Sequence, residues 1–255
     1  MSEWVELPRS TLYGWIVLVG ILVGGWFWSR KWKERPASFP IFIGAILGAF
    51  LGAKILFLVA EGWAHLDQPR WWMIWLSGKT ILGALLGGYA GVELVKRWVG
   101  HTEPTGDWFA VGVPISIAIG RIGCLRYGCC PGVPYEGPDW FTLDGGAQGD
   151  RWPAVPFELL FNLAFVAIIL PFALRGVGRG QLFHCYLVGY GCFRLWHEAY
   201  RDTPKMGGGI SVYQVAALAL VCLGLVRGGQ RWRSHSGEDQ PPGETTCRAE
   251  EHEKA

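Results

Sequence analysis

Residues 11–29 carry no charged side chain, and that property narrows the fold more than any other. At about 1.5 Å per residue such a run crosses a hydrocarbon core of roughly 30 Å as one helix. Six more runs of similar character, at 39–60, 71–93, 107–123, 154–174, 181–196 and 210–226, predict an all-α polytopic membrane protein with seven transmembrane helices. Composition agrees: 51% of residues are hydrophobic, 17% are charged and 15 are Trp, as expected for spans bounded by interfacial aromatics. A net charge of +2 gives no reason to expect a nucleic-acid partner. The amino-terminal residues carry acids and lack a basic leader, so the first run is read as an uncleaved helix.

Small residues at Gly44, Ala45, Gly48, Ala49, Gly52 and Ala53, and again at Gly83, Gly87, Gly88 and Gly91, predict close helix contact. Arg30, Lys31, Lys33, Arg35, Lys96, Arg97, Arg175, Arg179, Arg227, Arg231 and Arg233 then fall at one end of the bundle. By the positive-inside rule the amino terminus is outside and the carboxyl terminus is cytoplasmic. Residues 1–226 form the membrane domain, with a long outer loop at 124–153. Residues 227–255 are read as a polar, disordered tail. Gly78-Lys79-Thr80 resembles the end of a phosphate loop, but position 73 is Met where the motif needs glycine, so that reading is rejected.

Two polar clusters interrupt the apolar pattern. The first, GRIGCLRYGCCPG over 120–132, puts Arg121 at the end of an apolar run. An arginine near a helix centre in hydrocarbon costs roughly 2.5–3.5 kcal/mol on insertion scales, so it should face protein or a polar cavity. The alternative is that it snorkels and marks the helix end. The second, YGCFRLWHEAYRD over 190–202, sets Arg194 and Glu198 four apart on one helical face, with Arg201 three further on. These either line a site or neutralise one another inside the bundle. His197 lies about 100° round the helix from Glu198 and is read as interfacial.

On this topology Arg121, Arg194, Arg201 and Glu158 all approach the outer face. Guanidinium forks gathered at headgroup depth suit a phosphate, which points to an anionic phospholipid as ligand. Cys185, Cys192 and Cys222 lie in apolar runs and are read as core thiols. Cys124, Cys129 and Cys130 would face an oxidising compartment and are read as a structural disulfide or inert thiols; a thiol-redox or metal-handling role stays open as an alternative, although no histidine completes a metal site there and none is assigned. An anion transporter is a further alternative, without interrupted repeats to favour it.

The chain resembles the bacterial prolipoprotein diacylglyceryl transferases from Tyr13-Gly14 to Tyr213-Gln214. The likeness is most specific in GRIG with Gly128 and Gly132, in the segment 153–158, and in YGxxRxxxExxR over 190–201. It implies a seven-helix enzyme of the bacterial inner membrane without metal or organic cofactor. Such an enzyme moves the diacylglyceryl group of phosphatidylglycerol onto the lipobox cysteine of a preprolipoprotein and releases glycerol phosphate. By position, the resemblance implies catalytic roles for Arg121, Arg194 and Glu198 and substrate contacts from Arg121, Arg194, Arg201, Glu158, Tyr13 and Gly132. The family's third-helix HGGLxG reads LGALLG here, from Leu82 to Gly87. Lys79, one turn earlier, is therefore expected to act as the base, its pKa lowered by burial, or else to pair with a lipid phosphate or a carboxylate.

Overall fold

The computed structural model describes residues 18, 22, 26, 38–67, 71–103, 105–130, 132–138, 141–143, 149–206 and 209–238. Of the first expected span only positions 18, 22 and 26 are described, and Tyr13 lies outside the described residues. Seven α-helices follow: α1 Ser38–Ala60, α2 Trp71–Ser77, α3 Ile81–Val99, α4 Phe109–Tyr127, α5 Ala154–Arg175, α6 Leu182–His197 and α7 Val212–Glu238. The described residues contain no strand, only isolated bridges in the loops.

Among the described residues, four segments are long and apolar enough to cross a membrane: Ser38–Ala60, Phe109–Arg126, Ala154–Arg175 and Val212–Arg233. Their apolar windows are only 17–28% buried against protein, and side chains such as Leu47, Ile55, Leu160 and Ile168 stand exposed. In water that much bare hydrocarbon surface would be costly, whereas in lipid it is solvated. Cys222 on the last of these segments, and Cys185 and Cys192 on the helix Leu182–His197, are exposed, which corrects the reading of them as core thiols. An apolar run does not distinguish a core face from a lipid face, because both are apolar.

Helices α1 and α3 run antiparallel along two facing glycine rows. A side chain on Gly48 would drive into the Gly87 carbonyl and one on Gly52 into the Gly83 carbonyl; a Cβ on Gly87 would lie 2.8 Å from Gly52 Cα. Only glycine lets the backbones approach so closely, and the close approach yields dispersion contact over the whole seam. A second antiparallel pair, α6 with α7, uses Gly191 and Gly224 in the same way. The shared core is aromatic and aliphatic, centred on Tyr186, Leu187, Tyr190, Ala217 and Leu220.

The expected third span, 71–93, is not one helix. It breaks at Gly78–Thr80, and the second piece continues to Val99. Any side chain at Gly78 would collide with the Phe57 ring. Thr80 is extended and caps α3, its hydroxyl accepting from the Gly83 amide at 3.1 Å. Lys54 of α1 satisfies the end of α2: its ammonium donates to the carbonyls of Trp75, Leu76 (2.7 Å) and Gly78 (3.1 Å). A cation on the last carbonyls of a helix is favourable. The carboxyl-terminal helix also outruns expectation, continuing through Glu238 where the polar tail was expected to begin at 227.

The pairings sort the ends of the bundle. Glu93 of α3 pairs with Arg227 of α7, Tyr89 meets His184 of α6 at 3.3 Å, and Asp107 before α4 accepts from the Gly180 amide before α6 at 2.8 Å. Lys96, Arg97, Arg175 and Arg227 are thereby gathered at one end. The second polar cluster lies at the other.

Candidate functional site

Glu158 sits just past the first turn of α5 and is fully buried. Its Oε2 receives three guanidiniums: Arg121 Nη2 from α4 at 2.7 Å, Arg194 Nη1 from α6 at 3.3 Å and Arg201 Nη1 from the loop after α6 at 3.6 Å. Its Oε1 accepts from the Tyr190 hydroxyl at 2.6 Å. Both oxygens are thus occupied by protein, so Glu158 anchors the arginines instead of facing an open hollow. One turn on, Asn162 donates to the Glu158 carbonyl at 2.7 Å and accepts from the Tyr186 hydroxyl at 2.8 Å, which fixes α5 against α6.

Glu198 supplies the second carboxylate. Its Oε2 lies 2.7 Å from Arg194 Nη2 and 3.9 Å from Arg201 Nε, and its Oε1 accepts from Thr203 Oγ1 at 2.7 Å. The i, i+4 spacing of Arg194 and Glu198 brings them onto one face, as the sequence predicts. They do not simply neutralise each other, because Arg194 also reaches Glu158. Arg201 is turned back by an extended backbone paired with Gly132.

Gly132 sits where a Cβ would come within 2.7 Å of Trp152 Cβ, and its carbonyl accepts from Arg151 at 3.1 Å. Its visible role is close packing of the loop on the cluster. Trp152 stacks on Tyr200 at 4.4 Å and on Phe157 at 5.2 Å, and the Val133 amide donates to the Tyr200 carbonyl at 3.0 Å. Gly132, Val133, Arg151 and Trp152 are therefore docked on the site.

Three guanidiniums face two carboxylates, which leaves one positive charge in excess. Arg121 Nε, Arg194 Nε, Arg201 Nε and Arg201 Nη1 are buried without a hydrogen-bond partner among the described residues. Buried donors left without a hydrogen bond, in a cluster with one more cation than carboxylate, are unfavourable until an anion meets them. The arrangement can therefore hold a phosphate and take up charge on an oxygen leaving it.

Arg121, Arg194, Glu198, Arg201 and Glu158 are brought together; Gly132 touches their rim through Arg201. Lys79 is not part of the cluster. It lies in the break before α3 and is exposed, so the burial expected to tune it as a base is missing. His197 departs from expectation in the other direction, being fully buried and stacked on Phe193 at 4.8 Å, with both ring nitrogens unpartnered among the described residues. Tyr186, Asn162 and Thr203 were missed because single hydroxyl and amide groups in apolar or loop sequence give no periodic signal.

Cys124, Cys129 and Cys130 lie beside the guanidiniums. Gly128 ends α4 with φ +65°, and the amides of Gly128 and Cys129 both turn back to the Cys124 carbonyl. Arg121 Nη1 approaches Cys124 Sγ at 3.7 Å. Hydrogen bonds from the Cys124 and Cys129 thiols, with Arg201 and Arg121 beyond, pull the Cys130 thiol below the usual thiol range.

A family model described as prolipoprotein diacylglyceryl transferase matches residues 6–227. Among curated relatives, a phosphatidylglycerol-prolipoprotein diacylglyceryl transferase of Leifsonia xyli subsp. xyli is 28% identical, covering 94% of this chain and 82% of that protein. Proteins of the same name from Geobacillus kaustophilus and Methylocella silvestris are 27% and 29% identical. They cover 89% and 88% of this chain, and 92% and 87% of their own lengths.

Proposed function

Since the chain belongs to the prolipoprotein diacylglyceryl transferase family, we propose that it transfers the diacylglyceryl group of phosphatidylglycerol to the lipobox cysteine of a preprolipoprotein. The relatives' names supply donor and acceptor. The observation that carries the reading is the excess positive charge with unpartnered guanidinium donors around Glu158.

In this reading Arg121, Arg194 and Arg201 bind the lipid phosphate, and Glu158, Glu198 and Tyr190 position them. The acceptor thiol gives up its proton, which ends on the released glycerol phosphate or in water, and its sulfur attacks the glyceryl carbon next to the phosphate. The carbon–oxygen bond breaks, and its electron pair leaves with glycerol phosphate, where guanidinium charge stabilises the developing anion. Binding energy is then greatest where charge is greatest, in the transition state.

The enzyme works in the bacterial inner membrane. The amino terminus is outside and the carboxyl terminus cytoplasmic, with seven spans once residues 11–29 are counted and the guanidinium cluster toward the outer leaflet. Support for this orientation comes from the cationic end of the bundle, marked by Lys96, Arg97, Arg175 and Arg227, lying opposite the cluster.

The test is lipidation by purified protein in vesicles. A peptide with a single lipobox cysteine should gain the mass of a diacylglyceryl group from phosphatidylglycerol and release glycerol phosphate. No transfer by folded protein, under conditions where a relative is active, contradicts the reading.

A further inference from the structure

The sulfur atoms of Cys124, Cys129 and Cys130 all lie within 4.8 Å of one another. Two backbone features create this triangle. Gly128 terminates α4 in the left-handed region, and Cys130 follows with φ +62°, the only positive φ among the described non-glycine residues. A residue with a Cβ adopts that conformation at a cost, and here the turn returns its sulfur to the last turn of α4. The triangle is reachable, since Cys129 is exposed. It also abuts the guanidinium cluster through the 3.7 Å approach of Arg121 to Cys124.

We propose that Cys124, Cys129 and Cys130 form a three-thiolate site for a thiophilic d10 cation of the zinc class, whose fourth coordination position receives the acceptor thiol. The part concerning the acceptor rests on the transferase reading above. Sulfurs bound to one tetrahedral zinc at about 2.3 Å stand about 3.8 Å apart, so small rotamer shifts close the triangle on an ion. No histidine is needed, because three protein ligands and one open position already make the pattern of a reactive zinc centre. Charge agrees as well. Three thiolates around a divalent cation carry one net negative charge, opposite the single excess positive charge of the arginine cluster.

The site supplies what the cluster lacks. Glu158 and Glu198 are committed to arginines, and neither is free to take a thiol proton. Coordination to the metal deprotonates a thiol outright. The acceptor S–H loses its proton to water as sulfur binds, and a sulfur lone pair then forms the bond to the glyceryl carbon. The carbon–oxygen bond breaks toward phosphate, with no change of oxidation state. The thioether product is a weaker ligand and dissociates.

The test is cobalt(II) titration of the reduced, full-length protein in detergent. One equivalent should produce sulfur-to-cobalt charge-transfer and tetrahedral d–d bands. Cys124→Ser, Cys129→Ser and Cys130→Ser should each abolish them while melting like the parent. A peptide with one lipobox cysteine should shift the bands, whereas its serine counterpart should not. Absent bands, bands that persist in all three variants, or a mass lighter by two hydrogens from a disulfide overturn the site. Metal-stripped protein that lipidates the peptide at full rate overturns the metal's role and leaves the transferase reading standing. Bands that shift with peptide, from protein inactive in every metal state, support the site and contradict that reading instead.

Discussion

Arg121 of α4 and Arg194 of α6 share one carboxylate oxygen, Glu158 Oε2, at 2.7 and 3.3 Å. Three helices are thereby locked at the depth where the lipid phosphate is proposed to bind, and two of the three contributing side chains are cations. The carboxylate does not cancel the cations; it holds them close enough together to meet a single anion.

Glu158→Ala should therefore damage stability and activity together. Breaking a buried ion pair by removing one partner typically costs about 3–5 kcal/mol, and here three guanidiniums lose the same acceptor. A lowered melting temperature in detergent, with lipidation lost, is the expected result. Glu158→Gln should lose less stability, because the amide oxygen can still accept from Arg121.

Arg121→Lys and Arg194→Lys keep the charge but lose the planar fork. Each should lower kcat/KM for lipidation by about 10²-fold, the scale of removing one preorganised donor to a developing anion. The melting temperature should fall less than in Glu158→Ala. Vesicle assays at several phosphatidylglycerol fractions would separate weaker lipid binding from slower chemistry.

The cluster was largely legible in the sequence, and the reason is specific. An arginine in an apolar run is rare enough to stand out at Arg121, and the spacing of Arg194, Glu198 and Arg201 fixes a shared helical face before any coordinates. Glu158 as a hub was not legible, since its partners come from three separate segments. The break at Gly78–Thr80 was hidden because apolar periodicity continues across it, and Thr80 with Gly83 signals a cap only once the chain is known to stop there. His197 was misplaced for a related reason. Angular position on one helix does not say which side the rest of the protein covers, and His197, stacked on Phe193 of its own helix, is fully buried.

Gly48→Val and Gly87→Val test the α1–α3 seam apart from the chemistry. Each new side chain would meet a backbone carbonyl on the facing helix, and overpacking of this kind costs about 1–3 kcal/mol or more. The expected outcome is a lower melting temperature for both. Detergent-stable fractions should retain ordinary KM for phosphatidylglycerol, because neither residue touches the cluster.

The two lysines of this region should behave differently. Lys54→Met removes three hydrogen bonds to the end of α2 and should cost stability on the order of 1.5–3 kcal/mol, the range for charged hydrogen bonds. Lys79→Met should leave lipidation within about twofold, since Lys79 is exposed and outside the ion-pair cluster. Parallel thermal melts and lipidation rates of the two variants check both statements.

The most direct measurement is a structure of the protein with phosphatidylglycerol bound. The account predicts phosphate oxygens within about 3 Å of guanidinium nitrogens of Arg121 and Arg194, with Arg201 turned toward the same anion. A phosphate bound elsewhere, with the three guanidiniums still closed on Glu158 and touching no lipid, would contradict it.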